Sequence, residues 1–328
     1  MPSVLTIGNF DGVHRGHRAL VSKCVELAGR EGVGVTAITF DPTPVALLKP
    51  DAVPPQLLPV DERVRRLEKH GVDRVVVVTP TAELLAQSPE AYIASLVDEH
   101  DPRHVVTGPD FRFGKDRQGD VATLADLGKR HGFNTHVVED VMVDLSQGLT
   151  SPCRSTLIRH LVGHARLDDA ARCLGEPFAL TATVALGEQR GRTIGFPTAN
   201  LSADDLAGSM LPPDGVYACV ARVSLDDATA ESPAVPAAVS IGPKPTFDGQ
   251  RVTVEAHLVD PPAELIPDAN ALYGRPITLA FHQHLRDQQR FPSLDALVAQ
   301  LERDVAHTRS LRSDDTLATA AASASRPA

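Results

Sequence analysis

The chain has 328 residues, more than one hydrophobic core usually serves, so two domains are expected. Hydrophobic residues make up 42% and charged residues 23%, the composition of a soluble globular protein. The formal charge of -10 argues against a general role on nucleic acid or a membrane surface, since both are polyanions. No signal-like N-terminus and no apolar run of ~20 residues is present, so the sequence predicts a cytoplasmic protein whose partners are small molecules. Four widely spaced cysteines are expected to be buried, inert thiols, and the oligomeric state stays open.

The N-terminal half alternates between strand-like and helix-like segments, which is typical of a parallel sheet with helices on both faces. The predicted strands are Val4–Ile7, Val33–Phe40, Arg74–Val78, His104–Thr107 and Thr135–Val138. Helical patterns lie between them, near 17–29, 61–70, 88–99 and 121–131. The four valines at 75–78 do not alternate with polar residues, which favours a strand covered on both faces.

The pattern changes near Phe178 to short strands with period-two alternation, separated by turns rich in glycine and proline. The predicted strands are ALTATVAL, GVYACVARV, AVPAAVSIG, RVTVEAHLVD and PITLAFHQHL. They favour a small closed barrel, followed by an amphipathic helix at 293–305. The fold class is therefore α/β plus β: a doubly wound parallel-sheet domain at 1–177, and an antiparallel β-barrel domain with a terminal helix at 178–312. A disordered tail is expected at 313–328, where the sequence is rich in alanine, serine and threonine.

The segment GNFDGVHRGH, at residues 8–17, lies between the first predicted strand and the first helix. Gly8 and Gly12 allow the backbone to approach a phosphate closely, and the helix that follows offers free N–H groups to an anion. His14 and His17 are spaced i, i+3, so their imidazoles share one face and can donate to phosphate oxygens. Ordinary surface histidines or a metal pair are the other interpretations, although no third metal ligand is placed nearby.

The segment GEQRGRTIGFPTANL, at residues 187–201, has the features of a second phosphate site. Gly191 and Gly195 provide a loop that can close over phosphate, with positive charge from Arg190 and Arg192. Thr198 and Asn200 are two residues apart in an extended stretch, so both side chains point to one side and suit a hard cation such as Mg²⁺. Glu255 lies on the polar face of a separate predicted strand. The alternative is a turn in which Thr198 and Asn200 bond to their own backbone, with Glu255 simply solvated.

These segments resemble the prokaryotic riboflavin kinase/FAD synthetase family, whose N-terminal module belongs to the nucleotidyltransferase superfamily. Further pieces match in order: TFDPTP, GPDFRFGKDRQGD and RSTLIR in the first half, and IGPKPTF, LYGRPITLAF and HLRDQQRFPSLDALVAQLERDV in the second. The resemblance implies that ATP and riboflavin, FMN or FAD are the substrates and products. Residues alone lead only to a nucleotide-binding α/β domain joined to a β-barrel, so the flavin comes from the resemblance.

The resemblance also implies roles for individual residues. In the first module, the expected ATP-binding residues are Gly8, Asn9, Phe10, Asp11, His14, His17, Ser155, Thr156 and Arg159, and Asp110 is expected to contact FMN. In the second, the expected ATP-binding residues are Gly191, Arg192, Gly195, Pro197, Thr198 and Asn200, of which Thr198 and Asn200 would hold Mg²⁺. Glu255 is the expected general base for the riboflavin 5′-hydroxyl, with Arg286 and Phe291 on the flavin side.

Two departures from the family pattern concern the first module. Thr43 stands where the family usually has histidine, and Arg154 stands where it usually has serine. A guanidinium beside a triphosphate would clamp it, fill the pocket or point outward. The alternatives to a bifunctional enzyme are therefore a riboflavin kinase with a degenerate first module, or a non-catalytic flavin-binding regulatory protein on the same scaffold.

Overall fold

The computed structural model describes residues 2–187, 190–225, 232–246, 249–266 and 270–310. The chain divides into two compact units, at Met1–Leu157 and Ile158–Ala328. The division lies earlier than the expected domain boundary at residue 177, because the helix just before the barrel packs against barrel strands. The tail expected at 313–328 lies outside the described residues.

The first unit is built on five strands that all run parallel. The strands are β1 (Ser3–Ile7), β2 (Gly34–Phe40), β3 (Arg74–Val78), β4 (Pro102–Thr107) and β5 (Asn134–Val137), in the spatial order β3-β2-β1-β4-β5. The helices are α1 (Arg15–Glu31), α2 (Pro44–Leu48), α3 (Val60–Lys69), α4 (Ala82–Leu85), α5 (Pro89–His100) and α6 (Val121–His131). The next helix, α7 (Ser155–Gly163), begins in the first unit and ends in the second. A short hairpin, β6 (Met142–Asp144) and β7 (Thr150–Pro152), precedes α7. The alternating pattern of the sequence thus becomes the predicted parallel sheet.

Apolar side chains cover both faces of this sheet. Val4 of β1 packs into one core with α1 and α3, while the next residue, Leu5, packs into a second core with α5 and α6. Because successive strand residues point to opposite faces, a strand buried on both sides must be apolar throughout. Strand β1 lies at the centre and is fully buried, so its carboxyl end, where the GNFDGVHRGH segment begins, is held rigidly.

The valine run at 75–78 has a different position from the one its composition suggested. It forms β3, which is the edge strand and pairs only with β2. Val77 is 43% exposed. The expectation of a strand covered on both faces holds in part, since Val75 packs against one core and Val76 and Val78 pack against the other. Composition alone does not separate an edge strand from a central one, because β-branched residues fit any pleated, half-buried surface.

The second unit contains a closed barrel with the spatial order β10-β11-β12-β9-β8-β13. Its strands are β8 (Phe178–Ala185), β9 (Ala199–Leu201), β10 (Gly215–Val223), β11 (Val235–Thr246), β12 (Gly249–Leu258) and β13 (Pro276–Arg286). Its helices are α8 (Leu167–Leu174), which packs against β8 and β13, α9 (Arg190–Thr193), and α10 (Leu294–Ser310). The closed barrel and the terminal helix are as the sequence predicts. In the residues described, no helix has both the length and the apolar character required to cross a membrane.

Strand β12 separates a buried face from a polar one. Val254, Ala256 and Leu258 point into the barrel and are at most 7% exposed. Glu255 and the other residues between them point the opposite way. The alternation predicted from the sequence therefore holds, except that Val252 is 41% exposed near the strand's start. The barrel interior is filled by side chains, so a substrate of this unit must bind outside it.

Candidate active sites

The loop between β1 and α1 has an unusual backbone. Phe10, Gly12 and Val13 all have positive φ, at 47°, 88° and 39°. Positive φ is uncommon for residues other than glycine, and such strain accumulates where a loop must hold a particular shape. The expected freedom of Gly12 is used, and Phe10 is fully buried beneath the loop. The tightly curved segment presents its backbone at the carboxyl end of the sheet, where α/β proteins bind ligands.

The structure brings the two predicted histidines together. His14 is the N-cap of α1, and its Nδ1 accepts a 3.4 Å hydrogen bond from the backbone N–H of His17. The two rings stack with centroids 3.6 Å apart. Burial, the neighbouring His14 and the positive charge of Arg63 lower the pKa of His17 well below its ordinary value, and its Nδ1 has no partner. The pair can donate N–H groups to an anion at the helix N-terminus.

Asp11, expected at the ATP site, uses its carboxylate inside the protein. The carboxylate accepts hydrogen bonds from the backbone N–H groups of Leu57 and Leu58, at 3.0–3.1 Å. The backbone carbonyl of Asp11 accepts a 2.7 Å hydrogen bond from Ser155 Oγ. Asp11 therefore fixes the loop's shape, and Ser155 connects the loop to the start of α7. Thr156 is exposed beside it, and Arg159 follows one turn later on the same helix.

Arg154 points outward and forms a bridge between two carboxylates. One guanidinium nitrogen pairs with Asp110, and another bonds to Asp140 Oδ2 at 2.5 Å. Arg154 is 46% exposed and is not among the residues that line the cleft of the first unit. Asp110, the residue expected to contact FMN, is already paired with a cation in this structure.

A cleft of about 570 Å³ opens beside the loop within the first unit. Gly8 and Asn9 line one side, and Asp110 lies on the other. Its apolar wall is formed by Phe40, Leu48, Leu84, Tyr92, Phe111 and Phe113. The volume and the apolar wall suit a flat aromatic ligand. Asp110 is a residue predicted from the sequence to lie at this site, whereas the apolar wall was not predicted, although the aromatic residues in GPDFRFGKDRQGD were an available signal.

Close packing around residue 16 explains why a glycine lies between His14 and His17. A Cβ at this position would lie 3.1 Å from both the Cys153 carbonyl oxygen and His14 Cε1. The first turn of α1 therefore packs closely against the segment that leads into α7. A side chain here would displace the His14 ring.

The second site consists of polar residues side by side on adjacent barrel strands. Glu255 of β12 lies opposite Asn200 of β9 and opposite Ser240 of β11. Thr198 Oγ1 is 3.3 Å from Glu255 Oε2. Directly opposite residues of antiparallel strands point to the same face. The barrel thus assembles a hydroxyl, an amide and a carboxylate from two distant sequence segments, as the sequence predicts for Thr198, Asn200 and Glu255.

The loop that leads to Thr198 folds tightly on itself. The backbone N–H of Phe196 bonds to the Gly191 carbonyl at 2.8 Å, and a Cβ at Gly191 would lie 2.2 Å from the Phe196 carbonyl oxygen. Gly195 has a φ of 87°. His257 Nδ1 lies 2.8 Å from the Pro197 carbonyl oxygen, which ties the loop to β12. The loop is held in place by backbone contacts that only small residues permit.

Gly187 is a residue that the sequence analysis did not single out. A Cβ there would lie 2.2 Å from Asn200 Nδ2, so the Asn200 amide lies directly against the Gly187 backbone. We expect Gly187→Ala to rotate this amide away, because the end of a side chain yields before a backbone does. Misplacement of about 1 Å costs up to ~10²-fold in rate, so ATP-dependent turnover at the barrel site should fall at least about tenfold.

The matched control for this change is Gly29→Ala, where a Cβ meets nothing within 4 Å. It should leave turnover unchanged, and thermal unfolding should show that both variants are folded. Turnover of Gly187→Ala equal to that of Gly29→Ala would contradict the contact's importance.

The remaining predicted residues lie at two places in the second unit. Arg192 Nη2 is 3.2 Å from the Tyr273 hydroxyl, and its guanidinium lies 6.0 Å from the centre of that ring. Arg286 bonds to the buried carboxylate of Asp304 at 2.8–3.2 Å, with Phe291 5.6 Å away. The Arg286–Asp304 pair anchors α10 to β13, so Arg286 has a structural partner besides any ligand. The side chain of Arg190 lies outside the described residues.

All four cysteines are free and buried, as expected from their spacing. Burial raises the pKa of Cys24 to about 12, so this thiol stays protonated. Within the described ranges, no group of three or more histidine, cysteine, aspartate or glutamate side chains could hold a metal ion. His14 and His17 therefore have no third ligand of these types beside them among the described residues.

Comparison with known proteins identifies one family match in each half of the chain. The family model described as FAD synthetase matches residues 1–151, and the one described as riboflavin kinase matches residues 174–312. The bifunctional riboflavin kinase/FMN adenylyltransferase of Escherichia coli K12 is 37% identical over 302 residues, covering 92% of this chain and 90% of the relative. The chain belongs to this bifunctional family. The family member of Pseudomonas fluorescens is 36% identical, covering 94% of this chain and 92% of the relative.

A solved structure from Streptococcus pneumoniae, titled a macrolide-efflux protein, resembles this family member across nearly the whole chain. Its TM-score is 0.79 at 27% sequence identity, with 94% of each chain covered. The match to this structure therefore covers residues of both compact units. The N-terminal match ends before α7 and the C-terminal match begins near the end of α8.

The histidines of both units predict acid sensitivity. Burial lowers the pKa of His257 and His282, as it does that of His17. Between the folded pKa and the unfolded value of about 6.5, the unfolded chain binds more protons, so stability is lost as the pH falls through that value. We expect the midpoint of thermal unfolding to be lower at pH 5.5 than at pH 7.5. An equal or higher midpoint at pH 5.5 would contradict this assignment.

Proposed function

We propose that the chain phosphorylates riboflavin to FMN at the barrel site and adenylylates FMN to FAD at the sheet site, with release of pyrophosphate. The observation that supports this most directly is the pairing of Glu255 with Thr198 and Asn200 in the second unit, together with the stacked histidines beside an apolar cleft in the first. Each constellation lies within its own family match. ATP and flavins are the substrates that fit this family. We place the functional boundary before β8, at residue 177, and a cytoplasmic location stays a prediction.

In the kinase reaction, Glu255 takes the proton of the riboflavin 5′-hydroxyl while the oxygen attacks the γ-phosphorus of ATP. A primary alcohol is a poor nucleophile, and a positioned carboxylate typically contributes 10²–10⁴-fold. The bond from the γ-phosphorus to the bridging oxygen breaks, and ADP leaves. Thr198, close to the carboxylate, orients it.

Mg²⁺ fits the donor set of the barrel site. The Thr198 hydroxyl, the Asn200 amide oxygen and the Glu255 carboxylate are hard oxygen donors, the type that Mg²⁺ prefers while retaining several waters. Thr198 and Asn200 would hold the ion, which supplies charge neutralisation at the phosphate oxygens when bound. The close contact between Gly187 and Asn200 fixes the direction of the amide.

In the adenylyl transfer, an FMN phosphate oxygen attacks the α-phosphorus of ATP and pyrophosphate leaves. The cleft holds the flavin ring against its aromatic wall, and His14 and His17 donate to oxygens of the α-phosphate as charge develops. The curved loop of Gly8 and Asn9 lies between the cleft and the helix N-terminus. Catalysis here consists of positioning and electrostatic stabilisation.

The placement of Arg154 weakens the case for a degenerate first module, since the guanidinium pairs with Asp110 and Asp140 and is not among the residues that line the cleft.

The pairing of Arg154 with Asp110 predicts an effect on the affinity for FMN. In Arg154→Ser, Asp110 at the edge of the cleft loses its counter-charge and repels the FMN phosphate. We expect the KM for FMN to rise about three- to tenfold at low salt and to approach the wild-type value in high salt, because exposed charges are screened.

The control for this prediction is Asp140→Asn, which removes the second partner of Arg154 but leaves Asp110 paired. It should change the KM for FMN less than Arg154→Ser does. An unchanged KM in Arg154→Ser at low salt would show that the bridge has no role in FMN binding.

The experiment that tests the function is product analysis after incubation of the purified full chain with ATP and Mg²⁺. Riboflavin should yield FMN and then FAD, and FMN alone should yield FAD with pyrophosphate. FMN without FAD would support the kinase-only alternative, motivated by Thr43 and Arg154. Binding of flavin without any turnover would support the non-catalytic alternative.

A further inference from the structure

Arg63 is a fully buried arginine that neither the motifs nor the family resemblance indicated. It is 0% exposed and is the largest side chain at that level of burial among the described residues. It lies on α3, one turn before the buried Leu67, so a guanidinium occupies the apolar stripe of this helix. Burying a charge carries a large desolvation cost unless it is paired. An arginine at an apolar-stripe position of the predicted helix was the sequence signal that could have pointed to Arg63.

The guanidinium is only partly satisfied. Nη1 donates to the Phe40 carbonyl at 3.0 Å and to Thr39 Oγ1 at 3.2 Å. Nε and Nη2 are buried and have no hydrogen-bond partner. The charges of Asp11 and Asp41 act on Arg63, but the Asp11 carboxylate is engaged by two backbone N–H groups of another segment. The positive charge is therefore not neutralised by a hydrogen-bonded carboxylate.

Hydrogen bonds connect Arg63 to the loop between β1 and α1. Thr39, which accepts from Arg63, donates its hydroxyl to the Asn9 carbonyl at 3.1 Å. Asn9 and Gly8 line the cleft, and Gly8 N–H is held by the Ile38 carbonyl at 3.0 Å. A chain of two hydrogen bonds thus connects a buried cation to the backbone of the loop. The end of β2 carries both links.

We propose that Arg63 is a positioning residue for adenylyl transfer, which holds the Asn9 carbonyl through Thr39 and places a positive charge without a hydrogen-bonded carboxylate beneath the loop that receives the ATP phosphates. This inference rests on the proposed FMN adenylylation. A fixed cation in a dry site stabilises phosphate charge without reorganisation during the reaction. The desolvation cost of burying Arg63 then lowers the stability of the fold, and the charge is retained because the reaction uses it.

The neighbouring histidine provides an independent readout of this charge. Arg63 from α3 and His14 from the loop are the charged or titratable groups that add to burial in lowering the pKa of His17, and Phe10 packs edge-on against the His17 ring. Removing the guanidinium charge should therefore raise the pKa of His17 toward its ordinary value. This shift would show that the Arg63 charge acts on the histidine pair, and the kcat of FAD formation would show whether the reaction uses that charge.

The test compares Arg63→Met and Arg63→Lys with Arg65→Met. Methionine replaces the buried charge by an apolar side chain of comparable length and removes the desolvation cost of a buried cation that has no hydrogen-bonded carboxylate partner. Arg65 lies on the same helix with its side chain 64% exposed and is the matched control.

In Arg63→Met, we expect kcat for FAD formation from FMN to fall about 10²-fold, with a smaller change in the KM for ATP. The thermal midpoint should be equal to or above that of the wild type, and riboflavin phosphorylation should be unchanged.

Arg63→Lys, which restores the charge, should recover at least about tenfold of the lost kcat. NMR titration of the His17 imidazole should show a higher pKa in Arg63→Met than in the wild type or in Arg65→Met. Wild-type kcat in Arg63→Met, or an unshifted His17 titration, would overturn the proposal. Wild-type protein that makes no FAD would instead refute the proposed function, so the two failures are distinguishable.

Discussion

Glu255→Gln should reduce kcat for riboflavin phosphorylation by at least about 10²-fold, the contribution that a positioned general base usually makes. Glutamine has the same shape and can still accept the hydrogen bond from Thr198, which is 3.3 Å from the carboxylate in this structure. Its amide cannot take the proton of the riboflavin hydroxyl. The KM for riboflavin should change little, because the substitution removes an interaction made mainly in the transition state.

Two controls separate this effect from a general loss of structure. Formation of FAD from supplied FMN should be unchanged in Glu255→Gln, since that reaction belongs to the first unit. Glu302→Gln makes the same chemical change at an exposed position of α10 and should leave both activities intact. Riboflavin turnover in Glu255→Gln within about twofold of the wild type would show that Glu255 is not the base.

His14→Asn should reduce FAD formation from FMN by about 10²–10³-fold, the usual cost of removing one donor to developing negative charge. Asparagine is an effective N-cap, so the substitution preserves the start of α1 while removing the imidazole. An alanine at this position would lose the cap as well, at a cost of about 1 kcal/mol, and would confuse stability with catalysis. The ring stacked on His17 is the only part that asparagine does not replace.

Riboflavin phosphorylation serves as the internal control, because His14→Asn should leave the barrel site intact. His131→Asn, at an exposed position of the same unit, controls for loss of a histidine. Both activities should be measured at pH 7.5 with initial rates at several ATP concentrations. FAD formation by His14→Asn within about threefold of the wild type would assign the chemistry to other donors.

The arrangement of Thr198, Asn200 and Glu255 is the part of the candidate sites that the sequence predicted best. Period-two alternation put Glu255 on the polar face of its strand, and a two-residue spacing put Thr198 and Asn200 on one side of theirs. Such local periodicities follow from backbone geometry and hold in any context. Which strands become neighbours is decided by the closure of the barrel, and the pairing of β12 with β9 cannot be derived from alternation.

Three residues of the first unit show what local patterns could not supply. Asp11 was expected at the nucleotide, yet its carboxylate bonds to the backbone of residues 57 and 58. Arg154 was expected to clamp, fill or point outward, and only the fold brings Asp110 and Asp140 to its two sides. Arg63 was not singled out by any motif, yet it is fully buried. Each outcome depends on contacts between segments far apart in the chain.

The sequence by itself determined the parallel sheet, the closed barrel and the two segments that carry the chemistry, because hydrophobic periodicity and glycine-rich turns are local consequences of backbone geometry. The tertiary structure alone decided that the valine run is an edge strand, that Gly187 contacts Asn200, and that Arg63 is linked through Thr39 to the loop between β1 and α1. These features arise from packing between distant segments, where burial and the satisfaction of polar groups select one arrangement among many that the local patterns allow.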